Sequence, residues 1–438
     1  MNTIEAYSDA ECLEAFLTRD FSMIGNEYID DIITTLKEYA FAFATGLTTV
    51  SLPNITVIPH GAFYGCEVST TFTITWSKIT SIGNCAFYQS SCLKDTSLTL
   101  TNCEEIDYGA FAGLNNLVSV TAPALRLVYQ GTGPLQTSPG IFEGSSIQSF
   151  SAAIINSAAL GSNCFKNCRS LTSVSLPEQT YAGVSMFQGC TSLVTLSLPK
   201  LATITANNVF QGCTALTSVS LPLLTSLTGI SCFYNCTSLA SISLPELTGT
   251  IASSTFMSCS SLTSFSAPKL TDLGTTVFYG CTSLTFENLN IPNVTTIGSN
   301  AFFQCTGLTE FSHDKVTTLQ SQAFTYCSNM LTVDLPVCNS IGNSAFMSCT
   351  KMTTCKIGGA ISSIGDTTFQ RCSALESLVL SGISAVPSCS TTAFQNATKI
   401  LDGTGTIYVP TSLVSSFQTH SVWGQYTIDS VENFVDPT

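Results

Sequence analysis

The sequence predicts a β-rich solenoid of about sixteen coils of 22–24 residues, with a cap at each end. Three observations predict this fold class. A phenylalanine returns once per coil, a cysteine follows many of these phenylalanines by three residues, and a short strand-like alternation comes next. A segment of this length cannot bury its own apolar side chains, so we expect the coils to stack and to share one core.

The phenylalanine repeat sets the domain boundaries. We predict an amino-terminal cap in residues 1–38, the solenoid in residues 39–400 and a carboxy-terminal cap in residues 401–438. One step of the repeat is long, and residues 125–141 are interpreted as an inserted loop, either a tolerated surface loop or part of a binding face. The recurring phenylalanines are Phe41, Phe63, Phe87, Phe111, Phe142, Phe165, Phe187, Phe210, Phe233, Phe256, Phe278, Phe302, Phe324, Phe346, Phe369 and Phe394.

The amino-terminal cap has a helix signal followed by a strand signal. Ser8 to Glu11 form a capping box that opens a short amphipathic helix. Residues 28–36 then predict a strand that starts the first coil. Such a cap is needed because the first coil would otherwise expose its core and its sheet edge.

The carboxy-terminal cap has the same ingredients in the opposite order. Residues 405–410 predict a strand. Thr411 is predicted to be the N-cap of a helix over residues 412–419. Trp423 and Tyr426 are expected to pack back onto the array.

Within each coil, the residues after the cysteine predict a strand with one buried face. Counted from the phenylalanine, leucine, valine or isoleucine at positions +9 and +11 alternates with serine or threonine at +8 and +10. Proline at +12 ends the strand, because proline cannot donate a ladder hydrogen bond. A second apolar stretch, such as residues 201–204 or 294–297, then returns the chain across the other side of the coil. A coil of about 22 residues has no room for a full helix in addition to these two segments.

The cysteines are expected to form a column of small buried hydrophobic side chains. Disulfides between neighbouring coils would pull the coils together in pairs, and no Cys-x-x-Cys pair indicates a zinc site, so no metal is predicted. A column of reduced thiols indicates folding in a reducing compartment. The cysteines three residues after a repeat phenylalanine are Cys66, Cys168, Cys190, Cys213, Cys236, Cys259, Cys281, Cys305, Cys327, Cys349 and Cys372.

The repeat resembles that of the BspA-like leucine-rich-repeat family. The pattern Ile-Gly-x-x-Ala-Phe-x-x-Cys occurs at Ile297 to Cys305 and again at Ile341 to Cys349, and the resemblance covers residues 39–400. It implies a right-handed leucine-rich-repeat solenoid and surface adhesion, with binding to extracellular matrix or to other cells. The coil of Phe87 departs from the pattern, since Ser90 stands where cysteine is usual.

The carboxy-terminal cap carries a second, weaker resemblance. The sequence Ile-Tyr-Val-Pro followed by a short helix and a tryptophan is similar to a module at the end of such arrays in gut Firmicutes and in structural proteins of their phages. This resemblance implies an alternative, in which the chain is a structural or receptor-binding component of a phage tail. A virion protein is released by lysis, which fits the absence of a visible signal peptide and the many thiols.

Charge and hydropathy exclude several classes of partner. The formal net charge is −14, but residues 1–40 carry nine acids and two bases and residues 401–438 carry four acids, so the array between them has 15 acids against 12 bases. Binding to nucleic acid or to an anionic membrane requires a positively charged stripe on the protein, and the sequence has none. No run of apolar residues is long enough to insert into a membrane.

The sequence predicts recognition rather than catalysis. Three isolated histidines, His60, His313 and His420, have no nucleophile motif beside them, and His313 next to Asp314 is interpreted as a solvated turn. No catalytic residue, cofactor or metal ligand is assigned. An undetected hydrolase is the second alternative.

The candidate binding residues are the outward-facing hydroxyls of the strands. They predict hydrogen bonding to a neutral partner, a glycan or a protein on a cell or matrix surface, from a location on the cell surface, outside the cell or, alternatively, in a virion. The same residues could equally be small, soluble strand formers, and the oligomeric state is left open. They are Ser173, Ser175, Thr195, Ser197, Ser218, Ser220, Ser241, Ser243, Ser264 and Ser266.

Overall fold

The computed structural model describes residues 27–29, 31–126, 139–152 and 160–436. The helix predicted after Ser8, and most of the inserted loop, lie outside these residues. The chain divides into two compact units, which we call the amino-terminal unit (Met1–Leu221) and the carboxy-terminal unit (Pro222–Thr438). Both are stacks of parallel coils with little helix, so the predicted β-solenoid of about sixteen turns is confirmed.

The described part of the amino-terminal unit contains three parallel sheets. Their strand orders are β1-β2-β4, β3-β5-β7 and β6-β8-β9-β10-β11-β13. The strands are β1 Glu27–Ile29, β2 Leu47–Leu52, β3 Val57–Ile58, β4 Val68–Ile74, β5 Ser81–Ile82, β6 Ser97–Thr99, β7 Glu105–Ile106, β8 Ser119–Thr121, β9 Ser149–Ser151, β10 Ser173–Ser175, β11 Thr195–Ser197, β12 Thr203–Ile204 and β13 Ser218–Ser220. A 3₁₀ turn spans Trp76–Lys78.

Residues 222–436 of the carboxy-terminal unit contain four parallel sheets, with strand orders β15-β17-β19, β16-β18-β20-β22-β24, β21-β23-β25-β27-β29-β30 and β26-β28. The strands are β14 Ser226–Leu227, β15 Ser241–Ser243, β16 Gly249–Ile251, β17 Ser264–Ser266, β18 Leu270–Leu273, β19 Leu289–Asn290, β20 Thr296–Ile297, β21 Glu310–Ser312, β22 Thr318–Leu319, β23 Thr332–Leu335, β24 Ser340–Ile341, β25 Thr354–Ile357, β26 Ser363–Ile364, β27 Ser377–Leu380, β28 Ser388–Cys389, β29 Thr406–Val409 and β30 Thr427–Ser430. The described helices are Thr398–Leu401 and Val414–Thr419, and 3₁₀ turns span Phe286–Asn288, Thr411–Leu413, Trp423–Gln425 and Val431–Asn433.

The strands form where the alternation predicts them. In β11 the central Leu196 is buried at 4% exposure, while Thr195 and Ser197 on either side are exposed. The next residue, Leu198, still donates its N–H to the carbonyl of Ser220 on β13. Pro199 follows and has no N–H to donate, so the ladder ends there.

A column of stacked phenylalanines forms the core of each unit. In the amino-terminal unit, the rings from Phe41 to Phe210 follow one another at centroid distances of 5.2–5.8 Å with nearly parallel planes. In the carboxy-terminal unit, the rings from Phe233 to Phe394 are 5.2–5.7 Å apart. Phe111 and Phe142 also stack, at 5.6 Å, so the extra residues between them do not interrupt the column.

The backbone makes a sharp corner around each phenylalanine. Asn163 and Asn167, two residues before and two after Phe165, have φ of 60° and 59°, in the left-handed region. This geometry lets the N–H groups of Asn163, Phe165 and Asn167 donate to carbonyls of the next coil at 2.7–2.8 Å. Corners of the same kind recur along both units, and they satisfy backbone groups that would otherwise be buried without partners.

The cysteine column is buried as predicted, and it also makes hydrogen bonds between coils. The thiol of Cys213 donates to the carbonyl of Phe187 on the preceding coil at 3.1 Å, and that of Cys259 donates to Phe233 at 3.1 Å. Among the residues that the structure describes, no disulfide joins two cysteines. The same S–H···O=C bond is made by Cys168, Cys190, Cys281, Cys305, Cys327, Cys349 and Cys372.

One prediction for the end of the carboxy-terminal unit is wrong. Thr411 is not an N-cap, because it already lies inside the 3₁₀ turn Thr411–Leu413, and its hydroxyl instead contacts the Ser430 hydroxyl at 2.6 Å. Trp423 packs back onto the array as predicted. It is fully buried, lies 6.1 Å from the ring of Phe394, and donates its indole N–H to the carbonyl of Pro387.

Candidate functional site

The candidate site of the amino-terminal unit is a pair of parallel rows of hydroxyls on the six-stranded sheet. Each strand of that sheet contributes its first and third residues, which point away from the core, and the parallel register aligns them. Neighbouring hydroxyls in a row are about 4.8 Å apart, the spacing of sheet strands. We call these the hydroxyl rows: Ser97, Ser119, Ser149, Ser173, Thr195 and Ser218 in one, and Thr99, Thr121, Ser151, Ser175, Ser197 and Ser220 in the other.

Six of the predicted site residues belong to the hydroxyl rows, and all six are exposed. The sequence reasoning missed the members on β6, β8 and β9. Ser119 and Thr121 on β8 have the regular offsets from Phe111 and could have been found. On β6 and β9 the strand is displaced relative to the preceding phenylalanine, so counting along the chain does not identify its outward residues.

The other four predicted residues lie in the carboxy-terminal unit and form a shorter group. Ser241 and Ser243 on β15 are exposed, whereas Ser264 and Ser266 on β17 are half-buried. The next strand, β19, has Asn290 in register with Ser266, and the Asn290 amide donates to the Ser266 hydroxyl at 2.9 Å. The regular pattern therefore ends after two strands in this unit.

The row hydroxyls are not used by the fold, which distinguishes them from many other hydroxyls of the repeat. Thr172 and Thr217, seven residues after a phenylalanine, donate to carbonyls of the preceding coil at 3.0 and 3.1 Å. By contrast, no side-chain hydrogen bond to a described residue is made by Ser173, Ser175, Thr195, Ser197, Ser218 or Ser220. Each of these hydroxyls can donate one hydrogen bond and accept two.

The electrostatics of the rows are neutral. No row position in the amino-terminal unit holds Asp, Glu, Lys or Arg. Ion pairs between successive coils occur elsewhere, for example Lys166 with Glu143 at 3.3 Å. The rows therefore offer directional hydrogen bonds without a net charge.

The three histidines have structural partners. His60 Nε2 contacts the Tyr39 hydroxyl at 2.9 Å, and His420 Nδ1 accepts backbone N–H groups of the following turn. The interpretation of His313 as a solvated turn is wrong, since it is only 9% exposed and its Nε2 lies 2.9 Å from the carbonyl of Ile291. Its ring fills the space between two coils.

The thiols of the column are poor nucleophiles. Burial raises the pKa of Cys213 and of Cys168 to about 12, so both thiols stay protonated near neutral pH. Within the described ranges, no three His, Cys, Asp or Glu side chains are grouped closely enough to hold a metal ion. None of the helices in those ranges is long and apolar enough to span a membrane.

The repeat sequence identifies the family. The profile of the "BspA type Leucine rich repeat region", in six copies, matches residues 20–129, 158–285 and 283–401, well over half of the chain. The chain belongs to this family. Leucine-rich-repeat proteins of this kind are typically non-enzymatic, and membership is consistent with a protein-binding or adhesion role.

The chain is similar to several solved structures at low sequence identity. A leucine-rich repeat protein from Bacteroides ovatus is 20% identical over 92% of this chain and 83% of that chain, with a TM-score of 0.47. The pneumococcal vaccine antigen PcpA is 17% identical over 80% and 84%, with a TM-score of 0.39. A leucine-rich cell surface protein from Faecalibacterium prausnitzii is 18% identical over 77% and 92%, with a TM-score of 0.31. No curated protein matches this chain.

Proposed function

We propose that the chain is a non-enzymatic recognition protein that binds a glycan or a protein on a cell or matrix surface through its hydroxyl rows. The observation that carries the proposal is that the row hydroxyls, unlike those of Thr172 and Thr217, make no hydrogen bond to any residue that the structure describes. A partner can therefore bond to them without breaking any contact that stabilises the coils.

The neutrality of the rows favours an uncharged polar partner. Sugar hydroxyls and the peptide backbone both present donors and acceptors without a charge. Binding of such a partner would break no salt bridge, and its affinity would depend little on ionic strength. A surface or extracellular location follows from this proposal. The virion and hydrolase alternatives stay predictions, since no contact of the described residues favours either.

The proposal is tested by placing carboxylates in one row. The triple variant Ser175→Glu, Ser197→Glu, Ser220→Glu puts three negative charges on adjacent strands β10, β11 and β13. We expect binding to an array of neutral oligosaccharides and matrix proteins to weaken at least about tenfold, because a desolvated carboxylate facing a neutral acceptor has no partner.

A matched control separates the rows from general charge effects. The variant Ser162→Glu, Val184→Glu, Thr203→Glu adds the same charge at exposed positions of the same unit outside the rows. It should bind as the unchanged protein does, and circular dichroism should show both triple variants folded. Equal binding by the row variant and the control would exclude the hydroxyl rows as the binding surface.

A further inference from the structure

In the carboxy-terminal unit, a short segment folds back over the outer face of the six-stranded sheet. We call Val431–Asp436, which follows the last strand β30, the strap. Phe434 lies against Tyr408 of β29 with ring centroids 5.1 Å apart, and the Asp436 carboxylate accepts a hydrogen bond from Lys356 of β25 at 2.6 Å. The strap therefore crosses the strands from β30 towards β25.

Two residues of the outer face are buried, unlike any residue of the hydroxyl rows of the other unit. Val379 on β27 lies in register between Lys356 and Tyr408 and is only 5% exposed. Thr354, an outer-face residue of β25, is 1% exposed, and its hydroxyl has no hydrogen-bond partner among the described residues. In the corresponding outward positions of the hydroxyl rows, every residue is exposed or half-buried.

The chemistry of this face also differs from that of the rows. The outward residues aligned across β23, β25, β27, β29 and β30 include an acid, a base, an aliphatic side chain and an aromatic ring. Lys356 lies between two carboxylates, 3.0 Å from Asp334 and 2.6 Å from Asp436, so the strap completes a charge network that Asp334 begins. The aligned outward residues of this face are Asp334, Lys356, Val379, Tyr408 and Asp429.

We propose that this face is a second binding surface, for an extended partner peptide with an aromatic side chain two residues before a carboxylate, and that the strap occupies it in cis. The strap itself shows the chemistry that fits: Phe434 contacts Tyr408, and Asp436 contacts Lys356. A partner peptide that crosses the strands along the same path would exchange these two contacts for its own. Its backbone would also offer a partner to the unsatisfied hydroxyl of Thr354.

The strap is suited to displacement because its contacts with the face are few and partly exposed. The ion pair of Lys356 with Asp436 is partly exposed, at 26% and 46% of the two side chains, so salt screens it. Val435, between the two contact residues, is 83% exposed. A competing peptide that buries its middle residue against the face would hold more firmly than the strap does.

The test uses the full chain and the methyl signals of Val379 as the probe. In the variant Asn433→Ala, Phe434→Ala, Asp436→Asn the strap loses its ring contact, its ion pair and the hydrogen bond from Asn433 to Asp429, and we expect it to leave the face. Addition of the synthetic peptide Val-Glu-Asn-Phe-Val-Asp should then shift the Val379 methyl signals. Saturation should need at least about tenfold less peptide than in the unchanged protein, where the strap competes at a millimolar effective concentration.

Two controls decide whether the contacts are the proposed ones. A peptide with alanine for phenylalanine and asparagine for the last aspartate should leave Val379 unshifted, and Lys356→Gln in the strap-released variant should abolish the response to the original peptide. Trp423 fluorescence reports whether each variant is folded, since this residue is buried in the same unit. No shift of Val379 in the released variant, or equal responses in released and unchanged proteins, would overturn the proposal. Neither outcome depends on the hydroxyl rows.

Discussion

At the scale of single residues, the corners of the coils are the costly positions. At many of these corners a residue other than glycine has its backbone in the left-handed region. Arg371, two residues after Phe369, is one of them, with φ of 61°. A residue with a Cβ is disfavoured there by about 1–2 kcal/mol. The corner persists because its N–H groups bond to the next coil, as that of Arg371 does to the carbonyl of Gln395 at 2.9 Å.

Replacement of Arg371 by glycine should therefore stabilise the carboxy-terminal unit. The side chain is exposed, and the inter-coil bond belongs to the backbone, so Arg371→Gly relieves strain without removing that bond. We expect the free energy of unfolding to rise by about 0.5–1 kcal/mol, the left-handed penalty less the entropy cost of glycine. Urea unfolding followed by Trp423 fluorescence measures it.

The matched control is Lys351→Gly, at an exposed turn position of the same unit whose φ is not positive. There glycine only adds freedom to the unfolded chain, and the free energy of unfolding should fall by about 0.4–1 kcal/mol. If both variants were destabilised equally, the corner conformation would not be the source of strain.

At the scale of the coil, side-chain contacts join each turn to the one before it. The phenylalanine stacks on its predecessor, and the cysteine three residues later donates its S–H to the carbonyl of that predecessor. A stacked aromatic pair contributes about 0.5–1.5 kcal/mol beyond the area it buries. The thiol adds less per coil, because the carbonyl to which it donates already accepts a backbone N–H, as that of Phe233 does from Cys236.

The thiol bond predicts an order of stability among substitutions of one cysteine. Cys259→Ala removes the S–H bond to the carbonyl of Phe233, which then keeps only the backbone N–H of Cys236, and should lower the free energy of unfolding by about 0.5–1.5 kcal/mol. Cys259→Ser keeps a donor and should cost less, because Ser90 already serves an inter-coil carbonyl, that of Cys66, at 2.9 Å. Urea unfolding under reducing conditions compares the two.

Cys85 provides the control for that comparison. Its thiol is half-buried and donates to no described carbonyl, so Cys85→Ala should cost less than about 1 kcal/mol. Equal losses for Cys259→Ala and Cys259→Ser would show that volume, and not the S–H bond, decides the outcome.

Local periodicity explains which parts of the fold and the site could be predicted. The strand β11 and the burial of Cys213 follow from spacing alone, since stacking turns a period into a column. The left-handed corners could not be predicted, because Asn, Ser and Gln adopt them only where the next coil supplies acceptors. The displaced members Ser97 and Ser149 were missed for a related reason, since cross-strand register, and not distance along the chain, places them in the rows.

At the scale of the whole molecule, the thiols couple the stability of each unit to alkaline pH. Burial raises the pKa of Cys259, Cys327 and Cys372 in the carboxy-terminal unit to about 12, against an ordinary value of 9.0. Between these values the unfolded chain loses its thiol protons while the folded unit keeps them. Ionisation therefore favours unfolding, and stability that is fully present below pH 9 is lost as the pH rises towards 12.

The carboxy-terminal unit should consequently unfold in alkali well before pH 12. Each of the three thiols removes about 1.4 kcal/mol per pH unit above pH 9, so together they remove about 4 kcal/mol per pH unit, a large part of a typical domain stability of about 5–15 kcal/mol. The free energy of unfolding, measured by urea titration with Trp423 fluorescence at several pH values and with reductant present, should fall at least that steeply, since burial also raises the pKa of Cys281, Cys305, Cys349 and Cys355 in the same unit. In the variant Cys259→Ser, Cys327→Ser, Cys372→Ser the slope should be shallower by about 4 kcal/mol per pH unit, while tyrosine and lysine ionisation remain unchanged. Parallel curves for the two proteins would mean that the thiol column does not control the alkaline limit.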